Sequence, residues 1–181
     1  MKTIRLFIPL IALLAGMICY SSEESYSVTS SPEEATVVSS TTASVNWKVD
    51  VVPYGIPRKN FETAVSEAIS AWTVHATITG YEAVVTITTI DFSKNGLDPR
   101  WYAVAKDGTS IFLNSRYRWG LFTGYKAGYV DAKRVLMHEW GHMFRLNHAP
   151  LGVKAIMAPD YRRDIWTLQA WDIAAIKEVW K

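Results

Sequence analysis

The stretch that decides the fold is HEWGHMFRLNH, residues 138–148. It has the form H-E-x-x-H with a third histidine six residues further on, and it holds three of the four histidines of the chain. Residues four apart on an α-helix lie about 40° apart in rotation and about 6 Å apart along the axis. His138 and His142 can therefore direct two imidazoles at one ion, and neutral imidazole nitrogen is a preferred ligand of zinc.

The third histidine, His148, can join this site only if the helix ends early. A continuing helix would rotate His148 roughly 240° away from His142, so the chain has to turn back soon after His142. Three protein ligands leave a fourth zinc position for water, which is typical of a catalytic site. Glu139 adjoins a ligand without being needed as one, so we predict that it takes the proton of the zinc-bound water. A chance H-E-x-x-H on a surface helix is the alternative, and the third histidine argues against it.

Arg145 occupies the region where this reversal has to occur. A helix that stops so abruptly usually ends with glycine in the left-handed conformation, and an arginine in that conformation costs roughly 1–2 kcal/mol. Either Arg145 accepts the strain, or the left-handed residue shifts to Asn147, which tolerates it better. We favour Arg145, because a shifted turn would move His148 relative to the metal.

Residues 1–19 are predicted to be a signal peptide. Lys2 and Arg5 precede a mostly apolar run at 6–18, which is shorter than the about twenty residues that a membrane span needs. An uncleaved anchor and a lipid attached at Cys19 are the less favoured alternatives. Because Cys19 is the only cysteine, the chain has no intramolecular disulfide and no thiolate zinc site. We expect a secreted, extracellular protein.

Residues 20–44 are predicted to be a flexible linker. From residue 21 to residue 44 there are thirteen Ser or Thr and four Glu, with no Lys or Arg, so little here can bury a core. Once Lys2 and Arg5 leave with the signal peptide, seventeen basic and seventeen acidic residues remain. That balance gives no argument for a nucleic-acid partner. We expect no stable membrane span and a monomer.

Residues 45–181 are predicted to form one α+β or α/β domain with a mostly exposed cleft. Strands are expected at 44–51, 81–90, 101–105 and 110–114, the last two joined by a turn at Asp107 and Gly108. Helices are expected at 57–72, from about 129–131 through the histidine motif with Asp131 near its start, and at 167–180. Residues predicted to face inward on the last helix are Leu168, Trp171, Ala175, Ile176 and Val179. Residues 116–128 are predicted to be a long surface loop, and His75 is assigned no metal.

Residues 155–161, which read AIMAPDY, carry a family resemblance. H-E-x-x-H-x-x-x-x-x-H followed by a methionine turn resembles the metzincin zinc peptidases. The closer resemblance is to their matrixin branch, the matrix-metalloproteinase-like catalytic domains. Met157, Pro159 and Tyr161 match the matrixin pattern, whereas Ala158 replaces its first tyrosine. Matching positions in the last helix are Leu168, Asp172, Ile173 and Ile176. The resemblance extends over the chain from about residue 45, and its zinc and methionine motifs are specific.

The resemblance implies a metzincin-like α+β fold: a twisted, mostly parallel sheet with two long helices, a zinc cleft, a Met-turn and a C-terminal helix. It implies one catalytic Zn²⁺ on His138, His142 and His148, with Glu139 as the general base. Met157 would form an apolar floor under the metal, although a plain core methionine is the alternative.

The resemblance also implies how an extended peptide or protein substrate would bind. Pro159 and Tyr161 would shape the pocket for the residue after the scissile bond. The substrate backbone would pair with the edge strand near Ala103 to Ala105. Asp172 would hydrogen-bond near the methionine turn, with a helix-surface carboxylate as the alternative.

Four features depart from the matrixin pattern or lie beyond it. Arg145 stands where matrixins have glycine. Since His75 is the only histidine left over, a second, structural zinc is not expected, and no cysteine is placed to block the metal. Calcium sites, which many matrixins carry, cannot be located from the sequence.

The predicted function is therefore a secreted zinc-dependent endopeptidase. The alternative is a catalytically silent zinc-bearing protein that binds peptides or serves adhesion. An intact Glu139 argues against that alternative, because a pure binding site needs no base.

Overall fold

The computed structural model describes residues 37–38, 45–79, 81, 83–122 and 124–181. The predicted signal peptide and most of the predicted linker lie outside the described residues. The strands are β1 Val37–Val38, β2 Asn46–Val49, β3 Val84–Ile90, β4 Ala103–Lys106, β5 Ser110–Asn114, β6 Trp119–Gly120 and β7 Val130–Asp131. The helices are α1 Arg58–Thr73, α2 Ala132–Met143 and α3 Ala170–Val179, with a short 3₁₀ helix at Phe92–Lys94. No helix within these described ranges is long and apolar enough to cross a membrane.

The main sheet has five strands in the order β1-β2-β3-β5-β4. The predicted α+β class is confirmed, and the sheet is mixed, with a parallel centre and an antiparallel strand at each edge. β2, β3 and β5 run parallel, whereas β1 and β4 pair antiparallel at the two edges. β4 and β5 have to be antiparallel because a tight turn joins them. Asp107 and Gly108 have φ values of 56° and 63°, as expected for Asp-Gly in such a hairpin.

β1 lies in the segment that was predicted to be a flexible linker. Val37 and Val38 pair with Lys48 and Trp47 of β2. β-Branched residues favour strands, and the exposed edge of β2 offers the hydrogen-bonding groups that an extended segment can use. The composition on which the linker prediction rests does not indicate this pairing.

The core lies where the sheet meets α1 and α2. The buried side of α1 consists of Phe61, Ala64, Val65, Ala68, Ile69 and Trp72. Trp72 is completely buried, and its indole N–H donates a 2.9 Å hydrogen bond to the carbonyl of Met137 in α2. Ten of the twelve residues of α2 are buried, so the histidine helix runs through the interior rather than over the surface. Asp131 caps α2 through a 2.7 Å bond from the backbone N–H of Arg134, close to the predicted start.

Two predictions about the remaining elements need correction. The predicted loop at 116–128 contains β6, which is buried and pairs with β7. Trp119 is held there because its indole N–H donates to the carbonyl of Asn114 at 2.9 Å. On α3, Ile176 is buried as predicted, but Val179 is 44% exposed, since the core-facing position after Ile176 is taken by Trp180, four residues on.

The hydrogen bond from Trp72 to Met137 predicts that replacing Trp72 costs more stability than replacing Trp47, which is also buried. Trp72→Phe removes this hydrogen bond and should lower the free energy of unfolding by about 0.5–1.5 kcal/mol beyond the loss of ring contacts. Trp47→Phe is the matched control, because the buried Trp47 N–H has no hydrogen-bond partner among the described residues. Urea denaturation of both variants measures the difference. An equal or larger loss for Trp47→Phe would contradict this account of how α1 and α2 are joined.

Candidate metal centre

The structure brings the three predicted histidines together. Ring nitrogens of His138, His142 and His148 all lie within 4.8 Å of one another. The Nε2 atom of His148 is 3.3 Å from that of His138 and 3.2 Å from that of His142. His138 is buried, whereas His142 and His148 are half-buried, so the cluster opens towards solvent on their side. His75 is not part of the cluster.

Backbone carbonyls fix the orientation of the two helical histidines. His138 Nδ1 lies 2.7 Å from the carbonyl oxygen of Ile156, and His142 Nδ1 lies 2.9 Å from that of Leu146. A carbonyl oxygen only accepts, so each Nδ1 carries the proton and each Nε2 keeps its lone pair. This pairing of the outer ring nitrogen is usual for metal-ligating histidines.

Helix α2 ends in a Schellman motif. The N–H of Arg145 donates to the carbonyl of His142 at 2.9 Å, and the N–H of Leu146 donates to that of Gly141 at 3.0 Å, which is the pair of bonds that defines the motif. Arg145 has a φ of 68°. The predicted left-handed arginine is confirmed, and the alternative at Asn147 is wrong.

The turn at 155–158 supports both His138 and the segment that carries His148. The N–H of Ala149 donates to the carbonyl of Met157 at 2.8 Å. The carboxylate of Asp172 accepts the N–H groups of Ile156 and Met157 at 2.8 and 3.0 Å. Asp172 is fully buried, so its interpretation as a surface carboxylate is wrong. Burial raises the pKa of Asp172, and its three backbone donors partly offset this rise.

Met157 packs directly against the histidine helix. It is completely buried. A Cβ added at Gly141 would lie 2.2 Å from the Met157 sulfur and 3.0 Å from the ring of Trp72. The glycine inside the H-E-x-x-H motif is therefore the residue that lets the methionine turn approach α2. Met157 also belongs to the main hydrophobic core, as the core interpretation predicts, and its role as a floor under the metal stays a prediction.

Glu139 and Arg134 are two charged residues that α2 buries. Glu139, the predicted base, follows His138 and is 0% exposed, while Arg134 is 1% exposed. The Arg134 Nε–H donates to the carbonyl of Ile165 at 3.0 Å, and its guanidinium carbon lies 4.3 Å from the ring centroid of Tyr161. The sequence analysis missed Arg134. Its position four residues before His138, on the same helix face, was the available signal.

Tyr161 is anchored to the start of α2 rather than free to move. Its hydroxyl accepts the N–H of Asp131 at 3.1 Å, and its ring contacts that of Tyr102 edge-on at 5.3 Å. Pro159 is half-buried nearby in sequence. Burial raises the pKa of the Tyr161 hydroxyl, which therefore stays protonated at neutral pH.

The predicted substrate edge is β4, the last strand of the sheet. The N–H of Asn114 donates to the carbonyl of Tyr102 at 2.9 Å, so by antiparallel alternation Ala103 and Ala105 turn their backbone groups away from β5. Within the described part of the chain, no strand pairs with that outer edge. Ala103 and Ala105 are nevertheless only 0% and 4% exposed. A peptide could pair there only after neighbouring groups move.

Burial keeps all three imidazoles neutral at physiological pH. Burial, and next the adjacent His142 ring, lowers the pKa of His138 well below its ordinary value. Burial lowers the pKa of His142 to about 4 and also lowers that of His148. Metal binding requires neutral imidazoles, so protons compete weakly for these ligands near neutral pH.

The residues fit a tetrahedral metal ion. With Zn–N bonds of about 2.0–2.1 Å, two nitrogens at the tetrahedral angle lie about 3.3–3.4 Å apart, and the two Nε2 distances to His148 are 3.3 and 3.2 Å. The Nε2 atoms of His138 and His142 are both acceptors, and a single proton on His148 could serve only one of them. One cation satisfies all three lone pairs. These three histidines could therefore hold a metal ion.

Comparison with known proteins does not add to this geometry. No family model matches the chain, and no curated protein matches it significantly. The resemblance to metzincins therefore stays a prediction that rests on the motif residues between 138 and 161. The function has to be inferred from the residues of the site and their arrangement.

The contact between Gly141 and Met157 predicts that Gly141→Ala is harmful. Alanine normally stabilises a helix interior by about 0.5–1 kcal/mol relative to glycine, but here its Cβ overlaps the methionine sulfur. Overpacking of this kind costs about 1–3 kcal/mol. We expect a lower melting temperature and weaker zinc binding, measured by calorimetry and chelator competition.

Two further variants make this test specific. Gly141→Ala should cost less in a Met157→Ala background, because the two positions are in contact. Gly124→Ala should be close to neutral, since a Cβ there meets nothing within 4 Å. A Gly141→Ala variant more stable than the wild type would show that Met157 does not press on the helix.

Proposed function

We propose that this protein is a zinc-dependent endopeptidase of the metzincin type, similar to the matrixins. The observation that carries the proposal is the convergence of three imidazole Nε2 atoms at the end of α2, with Glu139 adjoining the first ligand. The half-buried His142 and His148 leave one side of the cluster accessible. A closed structural site would bury all of its ligands and would use a fourth protein ligand.

Zinc is the metal that suits this donor set best. The three neutral imidazoles also suit copper and nickel, but the spacing near 3.3 Å fits tetrahedral coordination, which zinc adopts most often. Zinc held here would act as a Lewis acid that polarises the peptide carbonyl and makes a water molecule more acidic.

The residues of the chain supply the proton transfers and the alignment. Glu139 accepts a proton from the attacking water as the water oxygen bonds to the carbonyl carbon of the substrate. It then passes that proton to the nitrogen of the leaving amine as the C–N bond breaks. The carbonyls of Ile156 and Leu146 hold His138 and His142 in their ligating orientation throughout.

An extended peptide would lie next to β4 under this proposal, and Pro159 and Tyr161 would shape the pocket for the residue after the scissile bond. The burial of Ala103 and Ala105 means that groups beside this edge have to shift when the peptide binds. We also propose that the protein is exported. The signal-like segment at 1–19 is the part of the sequence that supports this.

Replacing the base gives the direct test. Glu139→Gln should retain one zinc per chain and should reduce peptide cleavage by about 10²–10⁴-fold, because it removes proton transfer but not the ligands. Metal content by mass spectrometry, and cleavage of a broad peptide library with and without chelator, measure the two properties. Glu178→Gln is the matched control, since Glu178 is exposed on α3 and forms an ion pair with Lys181.

The possible outcomes separate the proposals. Equal cleavage by Glu139→Gln and the wild type would show that the proposed mechanism is wrong. Zinc in both proteins with cleavage by neither would favour the catalytically silent, peptide-binding alternative. Absence of zinc from both would overturn the metal site itself.

A further inference from the structure

Arg145 is a strained residue on which two of the three ligands depend. Its φ of 68° is a conformation that residues with a Cβ rarely adopt. The turn that it makes presents the carbonyl of Leu146 to Nδ1 of His142 and starts the return of the chain towards His148. Any relaxation of Arg145 to an ordinary conformation would change both. The strain therefore has to be offset by contacts elsewhere in the fold.

Trp180, the residue after α3, makes two contacts with this turn. Its indole N–H donates to the carbonyl of Phe144 at 2.9 Å, and Phe144 is the residue that ends α2. The guanidinium carbon of Arg145 lies 5.4 Å from the centroid of the Trp180 ring, within the range of a cation–π contact. One side chain thus holds the two consecutive residues that begin the reversal.

Tyr81 packs on the same turn. Its ring meets that of Phe144 edge-on at 6.3 Å, and its hydroxyl donates to the carbonyl of Gly108 at 2.5 Å. Tyr81 therefore ties Phe144 to the hairpin between β4 and β5. The guanidinium of Arg145 itself lies over the ring of Trp180, so Trp180 contacts both Phe144 and the arginine.

We propose that Trp180 is a positioning residue of the metal centre. It holds Arg145 in the left-handed conformation and thereby sets the positions of His142 and His148. The inference rests on the metal site of the proposed function and not on peptidase activity. It has a sharp consequence: with glycine at position 145, which adopts this conformation without strain, the contacts of Trp180 would no longer be needed for metal binding.

A double-mutant cycle tests this consequence. Trp180→Leu should weaken zinc affinity about tenfold, as is typical when a group that orients a metal ligand is lost. In an Arg145→Gly background, the same substitution should weaken it by less than about twofold. Chelator competition measures the affinity. The visible spectrum of the Co²⁺-loaded protein reports ligand geometry, and it should change in Trp180→Leu and return towards that of the wild type in the double variant.

Two controls separate positioning from general stability. Ala174→Gly weakens α3 at an exposed position without removing a side-chain contact, so it should lower the melting temperature of the metal-free protein and leave zinc affinity unchanged. Trp180→Phe keeps a ring for Arg145 and loses only the N–H donor, so its affinity should fall between those of the wild type and Trp180→Leu. It also provides a milder variant if Trp180→Leu does not fold.

The inference is wrong if Trp180→Leu weakens zinc binding equally in both backgrounds. It is also wrong if Trp180→Leu behaves as Ala174→Gly does, with a lower melting temperature and unchanged affinity. A wild-type protein that binds no zinc would instead overturn the metal site, and with it this inference. Failure to cleave peptides would leave the result of the cycle standing.

Discussion

The hydrogen bonds from Arg145 and Leu146 back to His142 and Gly141 stop helix α2 just after its second histidine. Everything else at the site depends on this stop, because a helix that continued would carry the third histidine to its opposite side. The turn uses a residue that is poorly suited to it, at a cost of roughly 1–2 kcal/mol. Strain of this size persists only where the surrounding structure holds the residue in its conformation. Here we assign that role to Trp180, the residue that follows α3.

A continuous set of hydrogen bonds links the two helices through the methionine turn. Asp172 of α3 binds the backbone of Ile156 and Met157, and these two residues in turn bind His138 and Ala149. Together with the carbonyl of Leu146, which binds His142, this network orients two imidazoles through carbonyls that belong to the fold. Such pre-organisation lowers the cost of ordering ligands on binding. Three neutral imidazoles whose lone pairs converge in a partly buried cluster are unfavourable without a cation, which supports the proposed metal site.

The predictions that succeeded depend on contacts close in sequence. The spacing of His138 and His142, the cap at Asp131 and the Asp107–Gly108 turn each follow from interactions within a few residues. The left-handed Arg145 belongs to the same class, since it follows from helix geometry and the position of His148. By contrast, the pairing of Val37 and Val38 with β2 and the mixed sheet depend on which distant segments meet.

Side-chain partners far apart in the chain were equally out of reach. The burial of Arg134 against Tyr161 and the contact of Arg145 with Trp180 join segments 27 and 35 residues apart. An arginine on a helix is usually solvated, so the position of Arg134 on the helix face of His138 does not by itself predict its contact with Tyr161. The burial of Ala103 and Ala105 in β4 could not be predicted from the order of residues along the strand either, because that order does not show what lies beside an edge strand.

X-ray absorption at the zinc edge of the purified, zinc-loaded protein tests the central claim most directly. The account predicts one zinc per chain with three histidine nitrogens at about 2.0–2.1 Å and one further light-atom ligand. The imidazole scattering should be reduced by about one third in a His148→Ala variant, because one of the three imidazole ligands is lost. His148 is the ligand to remove, since the turn at Arg145 is what brings it to the metal. A shell of oxygen ligands alone, or a spectrum that does not change in His148→Ala, would contradict it.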